Sequence, residues 1–240
     1  MLFRSGSHTA TDRGRFVKGG YGLVRLVSCG IFRNEYQLLP QAMREAMDPV
    51  FIDSILHMHP EKLEELLATF IPTCSGQLAL ILFGDCCPHM QELGCMPGVA
   101  LTDGMNCCEI YLGQARYRTL RKEHTFFLMP EWAMRWEHVV KNELGFKDTL
   151  LARDFMTQSM SKAVYIDTGV IPVPEDELAA FEEFTGLQLC VETVGPANFI
   201  TAMQTALQRL EQDEALAPSF GNKPGDTLEL KNYVGNPSRD

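Results

Sequence analysis

The sequence contains no run approaching the roughly 20 apolar residues needed to span a bilayer. Its opening, Met1-Leu-Phe-Arg-Ser-Gly-Ser-His-Thr-Ala10, has no apolar core of the signal-peptide kind. It also lacks basic charge: 21 basic side chains face 31 acidic ones, for a net charge of −10. Neutralising phosphate requires a basic surface, so nucleic acid is excluded as a main partner and docking on anionic lipid is disfavoured. There is no G-x-G-x-x-G after the first strand, no P-loop and no G-x-S-x-G, which removes the simplest nucleotide-binding and hydrolase readings. Internal repeats and a clear linker are absent as well. These absences lead to the expectation of a cytoplasmic chain, whose thiols are kept reduced.

What the sequence does have is sulfur, with eight cysteines. Disulfides are disfavoured in a reducing compartment, which leaves metal binding, catalysis or plain burial. Burial accounts for any single cysteine, because free Cys is among the most buried residue types; Cys74 and Cys190 read that way. Adjacent pairs beside glycine and proline are a different matter. Cys86 and Cys87 close the run Leu78-Ala-Leu-Ile-Leu-Phe-Gly84, Cys29 closes Leu23–Ser28, and Cys107 and Cys108 follow Val99-Ala-Leu101 after a turn.

With 240 residues, 45% hydrophobic and 22% charged, the chain can form one large α/β domain or two small ones. Apolar runs predict strands over 23–29, 50–56, 78–83, 99–101, 125–129, 163–166 and 187–191. Helical spacing predicts helices within 33–47 (interrupted at Pro40), then over 60–70, 107–122, 130–144, 174–184 and 198–211. In the second of these, Leu63, Leu66, Leu67 and Phe70 share one face behind Pro60. This alternation specifies a mostly parallel sheet with helices on both faces, doubly wound in a Rossmann-like or chelatase-like way. The expected domain covers 21–214, with a mobile arm at 1–20 and a tail at 215–240 that holds one edge strand, 227–230. Residues 149–161 are the weakest boundary, where two lobes would divide.

In such a sheet, ligands bind at the carboxyl ends of the strands. That edge gathers Cys29, His57, Cys86, Cys87, Asp103, Cys107 and Asp167. His57 and His59 stand two residues apart, a spacing that turns both to one side of an extended segment; His59 also fits a turn beside an N-cap. Pro88 can open a helix whose N-terminus would lower the pKa of Cys86 or Cys87. Cys29, His57, Cys86 and Cys107 make a donor set suited to tetrahedral zinc or to iron, although their spacing is not that of a paired C-x-x-C knuckle. Cys95, in a loop, can replace any of the three thiols. Gly84, Asp103 and Thr125 are candidate cofactor contacts, and Glu35 and Asp167 are candidate catalytic carboxylates.

Several motifs together resemble the domain of unknown function 1638 family. Cys29-Gly-Ile-Phe-Arg-Asn-Glu35 is similar to its C-G-x-(aliphatic)-x-x-E, and Leu56-His57 with Pro60 and Lys62-Leu63 to its L-H-x-x-P-x-K-L. Phe83-Gly-Asp-Cys86, Asn106-Cys107 with Leu112-Gly113 and Tyr117, Thr125–Trp132 and Tyr165-Ile-Asp-Thr-Gly169 complete the set. The resemblance covers about residues 23 to 212. Departures are the missing arginine before Cys107, and Cys87 and His124 at positions where the family often has glycine. The resemblance implies an association with corrinoid-dependent methyl transfer and one-carbon metabolism. It frames the expectation of a zinc or iron protein with a catalytic or accessory role, acting on a small-molecule substrate or with a corrinoid protein. A corrinoid- or metal-carrier module and a structural protein with buried cysteines are the alternatives, and self-association is left open.

Overall fold

The computed structural model describes residues 23–71 and 78–216. The predicted arm at 1–20, Cys74 and the predicted edge strand at 227–230 lie outside the described residues. The fold is α/β, with every strand pairing parallel to its neighbours. The seven strands form two sheets rather than one continuous sheet. The first contains β1 (Val24–Cys29), β2 (Met47–Ile52), β3 (Ala79–Leu82) and β4 (Val99–Leu101), in the order β2-β1-β3-β4. The second contains β5 (Thr125–Leu128), β6 (Lys162–Asp167) and β7 (Leu189–Thr193), in chain order.

The helices are α1 (Gln41–Glu45), α2 (Pro60–Phe70), α3 (Met90–Gly94), α4 (Cys107–Leu112), α5 (Gln114–Lys122), α6 (Pro130–Met134), α7 (Thr149–Ser159), α8 (Glu175–Thr185) and α9 (Ala197–Leu216). The last of these explains why the sheets stay separate. It leaves β7 in the second sheet and returns to pack on β3, β4 and α4 of the first. There Arg209 forks both oxygens of Asp103 and also donates to the Leu101 carbonyl. Arg209 thereby occupies one outward carbonyl of β4, the strand at which the described first sheet ends. Phe199 of α9 stacks between Phe32 and Tyr111, with ring centroids 5.3 and 5.6 Å away.

Local chemistry sets most element ends. The sides of β3 are wholly buried, as a continuous apolar run in a parallel sheet requires. Pro60 opens α2 at its first turn. The segment predicted as one helix over 107–122 is two, α4 and α5, because Gly113 takes φ 79° between them. The strand predicted over 50–56 starts earlier, at Met47, and ends at Ile52. Asp53 then accepts the Ile55 N–H and turns Ser54–Met58 into a 3₁₀ segment. Residues 149–161, read as a boundary, are mostly the amphipathic α7, capped by the Asp148 side chain on Leu151 N–H.

The strand order reverses between β1 and β3, since β1 runs on to β2 at one side while β3 lies at the other. The crevice at this reversal is where doubly wound sheets bind ligands. Gly84 shapes it. A Cβ at this position would lie 2.2 Å from Asn106 Cα, inside any real contact. The bare backbone lets the loop after β3 close on the loop after β4, and Asp85 N–H donates to the Met105 carbonyl at 3.0 Å. His124 is the one non-glycine residue with positive φ among the described residues, at 51°, in the turn between α5 and β5.

Two substitutions probe these points. Gly84→Ala forces backbone against backbone and is expected to cost about 3 kcal/mol, at the upper end of the overpacking range, read as a lower urea midpoint at constant m-value. His124→Gly relieves a left-handed residue and is expected to raise stability by about 1 kcal/mol in the same assay.

Candidate functional site

Three strand ends of the first sheet bring sulfur into one crevice. Cys29 is the last residue of β1, Cys86 follows β3 and Cys107 is the first residue of α4, after β4. Cys29 and Cys107 are buried, while Cys86 and Cys108 are partly exposed. Their electrostatic coupling shows their proximity. Contact with the Cys29 thiol, followed by burial, raises the Cys107 pKa well above its ordinary value. Burial pushes Cys86 to about 12, with further contributions from Cys29 and Cys87. Burial, with Cys29 and Cys86 beside it, pushes Cys108 to about 12 as well. No cation is among the groups acting on these thiols.

The expected lowering of the Cys86 or Cys87 pKa is therefore overturned. Cys87 rises to about 11, through burial and then the charge of Glu64. Pro88 does not open a helix; α3 begins at Met90 and runs only five residues, too short and too late to hold a thiolate.

Asn106 aims the start of α4. Its side chain accepts the Glu109 N–H at 2.9 Å and donates to the Tyr117 hydroxyl. Glu109 reaches back to Met105 N–H at 3.1 Å, closing a box of capping type around the loop that carries Cys107. Tyr111 sits one turn beyond Cys107, so the two share a helix face.

A buried carboxyl lies where the two sheets meet. Glu35 is 1% exposed, in the 3₁₀ turn that follows Cys29, and accepts a hydrogen bond from Thr168 Oγ1 at 3.0 Å, just beyond β6. Burial raises its pKa from 4.5 to about 7. Tyr111 and Tyr165 are fully buried and both are perturbed by Glu35 and Asp167. Burial raises both phenols, Tyr165 to about 12. Among the described residues, neither hydroxyl has a hydrogen-bond partner. Tyr111 lies near Thr168 without reaching it in good geometry. Asp167 accepts from Gly169 N–H at 3.0 Å and from Thr193 Oγ1 at 3.1 Å, which fixes the loop carrying Thr168.

A second set of contacts ties the sheets together. Trp132 Nε1 donates to Ser54 Oγ (2.9 Å), and Ser54 Oγ donates to Glu131 Oε2 (2.6 Å). Arg135 Nη1 donates to Glu131 Oε1 (2.6 Å) and to Asp53 Oδ1 (3.0 Å). Beside this network is an open groove of about 430 Å³, lined in part by Asn34, Pro130, Glu131, Arg135 and Val173.

Cys29, Cys86 and Cys107 thus lie near one another, and Glu35 bonds Thr168, the residue that follows Asp167. The other candidates lie elsewhere. His57 packs edge-on against Trp132 at 6.0 Å between ring centroids, with no hydrogen bond or ion pair to a cysteine among the described residues. Where that ring is desolvated its pKa falls. Asp103 is held by Arg209 at the surface. Thr125 is at the amino end of β5, paired with Lys162, with three strand steps of roughly 3.3 Å each separating it from the carboxyl edge. Gly84 serves the loop approach already described. Cys95 is exposed, and His59 pairs with Glu143 at 3.3 Å. Among the described residues, no three His, Cys, Asp or Glu side chains are drawn together tightly enough for a metal-ready group. None of their helices is long and apolar enough to cross a membrane.

A parallel α/β fold with a thiol crevice at its topological switch point defines the class of protein. The chain belongs to the family described as "Protein of unknown function (DUF1638)", whose model matches residues 51–203. The matched range includes Cys86, Cys107, Tyr111 and Thr168, and begins after Cys29 and Glu35. No curated protein and no solved structure matches the chain.

The pH dependence of stability tests the seam. Below pH 4.5, Glu35 is protonated whether the chain is folded or not. Between 4.5 and about 7 the unfolded chain releases this proton while the folded one keeps it, so stability falls as pH rises and levels off above 7. The shift corresponds to about 3 kcal/mol at full ionisation. Glu35→Gln is expected to remove this slope, so that urea unfolding at pH 8 favours the variant by up to that amount and unfolding at pH 4 does not.

Proposed function

We propose that this protein binds one zinc or iron ion through Cys29, Cys86 and Cys107, at the carboxyl edge of the first sheet. The observation that carries this reading is the convergence of thiols from three separate strand ends on one largely desolvated crevice, with no cation among the described groups that act on them. Buried thiols that raise one another's pKa favour the neutral form, and a cation stabilises their thiolates instead. The donor set is chemically suited to a soft or borderline ion. The side chains stand wider apart than a closed coordination sphere, and drawing them in is what binding requires of the loops after β3 and β4.

Such an ion keeps thiols, including that of a coordinated substrate, in the thiolate form at neutral pH. The chain's own groups supply the rest. Glu35, with its pKa near neutrality, takes up or returns a proton while Thr168 holds its Oε1. Tyr111, on the Cys107 face of α4, offers a hydroxyl near Glu35 and Thr168. The motif resemblance supports a catalytic or accessory role in one-carbon and corrinoid-linked methyl transfer, with a corrinoid protein as partner.

The competing reading takes the cysteines as ordinary core residues, and one observation favours it: Cys29, Cys87 and Cys107 pack within the main apolar cluster. Elemental analysis of protein purified without oxygen separates the two. The metal reading expects close to one equivalent of zinc or iron in the native protein and at least a tenfold loss in Cys86→Ser. An iron site also gives a visible absorption band. Metal-free native protein, or a full equivalent retained in the variant, removes the proposal.

A further inference from the structure

The outer side of β7 stands apart from the other sheet edges. In the first sheet, β2 carries Pro49, which has no N–H to offer, and β4 is covered by α9. The strand β5 has a burial pattern with no exposed residue. By contrast, Cys190, Val191 and Thr193 of β7 are exposed, Val191 by 46%.

The backbone pattern shows which groups face outward. Ala163 N–H donates to the Gln188 carbonyl at 2.9 Å, and Val194 N–H donates to the Asp167 carbonyl at 2.8 Å. Gln188 and Val194 therefore point toward β6, and by the two-residue alternation of a strand so do Cys190 and Glu192. Leu189, Val191 and Thr193 present their N–H and C=O groups to the outside. Among the described residues, none of these groups finds a backbone partner. The usual protections of an open edge are also missing: β7 has no lysine, no proline and no bulge. Its one charge, Glu192, is already forked by Arg116 at 2.6 Å to each oxygen.

We infer that β7 is a self-association edge, on which a second copy of this chain adds its own β7 antiparallel and joins two three-stranded sheets into one of six strands. The occupant follows from the pattern itself. A two-fold axis through Val191 sets Val191 against its copy and Leu189 against Thr193. Those are the outward-facing residues, so every such pair is of the hydrogen-bonded kind and exchanges two bonds. Leu189 and Val191 then form an apolar row across the junction. Cys190 faces Glu192 of the other copy, so no like charges meet. Any other register strands outward groups or brings the two Glu192 side chains together.

The test uses the full chain. Light scattering at tens of micromolar is expected to give twice the 27.0 kDa chain mass. Val191→Pro removes the central outward N–H without touching the β6 pairing; it is expected to give the single-chain mass with an unchanged circular dichroism spectrum. Val191→Cys, in a Cys95→Ser and Cys190→Ser background, places two thiols on the axis, where hydrogen-bonded Cα pairs lie about 5.5 Å apart, within disulfide reach. Oxidised glutathione, reduced to two thiols as it takes the two hydrogens, is expected to link this variant into a covalent dimer. In Cys95→Ser alone, Cys190 and its copy are offset by two residues, roughly 8 Å, and stay unlinked. A native chain of single mass, a Val191→Pro variant of doubled mass, or an unlinked Val191→Cys variant overturns the inference.

Discussion

The approach of two loops at Gly84 governs the rest of the crevice. The strands bring Cys86 and Cys107 to the same edge, but an edge of parallel strands spaced about 5 Å apart does not by itself make a site. The backbone after β3 must come within van der Waals contact of Asn106, and only a residue without Cβ permits it. Asn106 is then positioned to cap α4 and to hold Tyr117, and Glu109 locks the same loop from inside the helix. One missing methyl group thus decides where two thiols, a helix N-terminus and a tyrosine are placed.

The electrostatics of the crevice and of the seam share a cause. Both are desolvated, and no cation among the described groups acts on either. Thiols and carboxyl alike are pushed toward their neutral forms. Three arginines are instead paired with carboxylates elsewhere. Arg135 is spent on Glu131 and Asp53, Arg116 on Glu192, and Arg209 on Asp103. These pairs are partly exposed and contribute little to stability individually. Their role is to hold the rims of two sheets in register around an interior that keeps its protons.

Much of this was readable in the sequence, for identifiable reasons. Continuous apolar runs located β1, β3 and β4, and proline and glycine marked the limits of α2 and α8, so the strand-end thiols could be placed on one edge. The division into two sheets could not be read, because it depends on α9 returning to an edge far back in the chain. Tyr111 gave no local signal, Cys108 was read only as one of a pair and Thr168 only as part of a motif: their relevance comes from which way a helix face or a strand end turns, which only packing fixes. Thr125 was drawn toward the site by its motif, whereas the structure sets it at the opposite end of the strand. The direction of the thiol pKa shift was missed because a helix was expected two residues too early and burial was left out of the balance. His124, read from the motif as standing where glycine is usual, has the left-handed backbone that favours glycine.

The return of α9 has a consequence for how this polypeptide is made. Phe32, near the beginning of the described chain, and Tyr111, midway along it, complete their packing only against Phe199. During synthesis the amino-terminal half emerges long before that partner exists, and its last strand waits with one flank bare. Maturation therefore couples the two halves into a single late event, and a ribosome stalled before Ala197 leaves an aromatic surface open to chaperones and to aggregation.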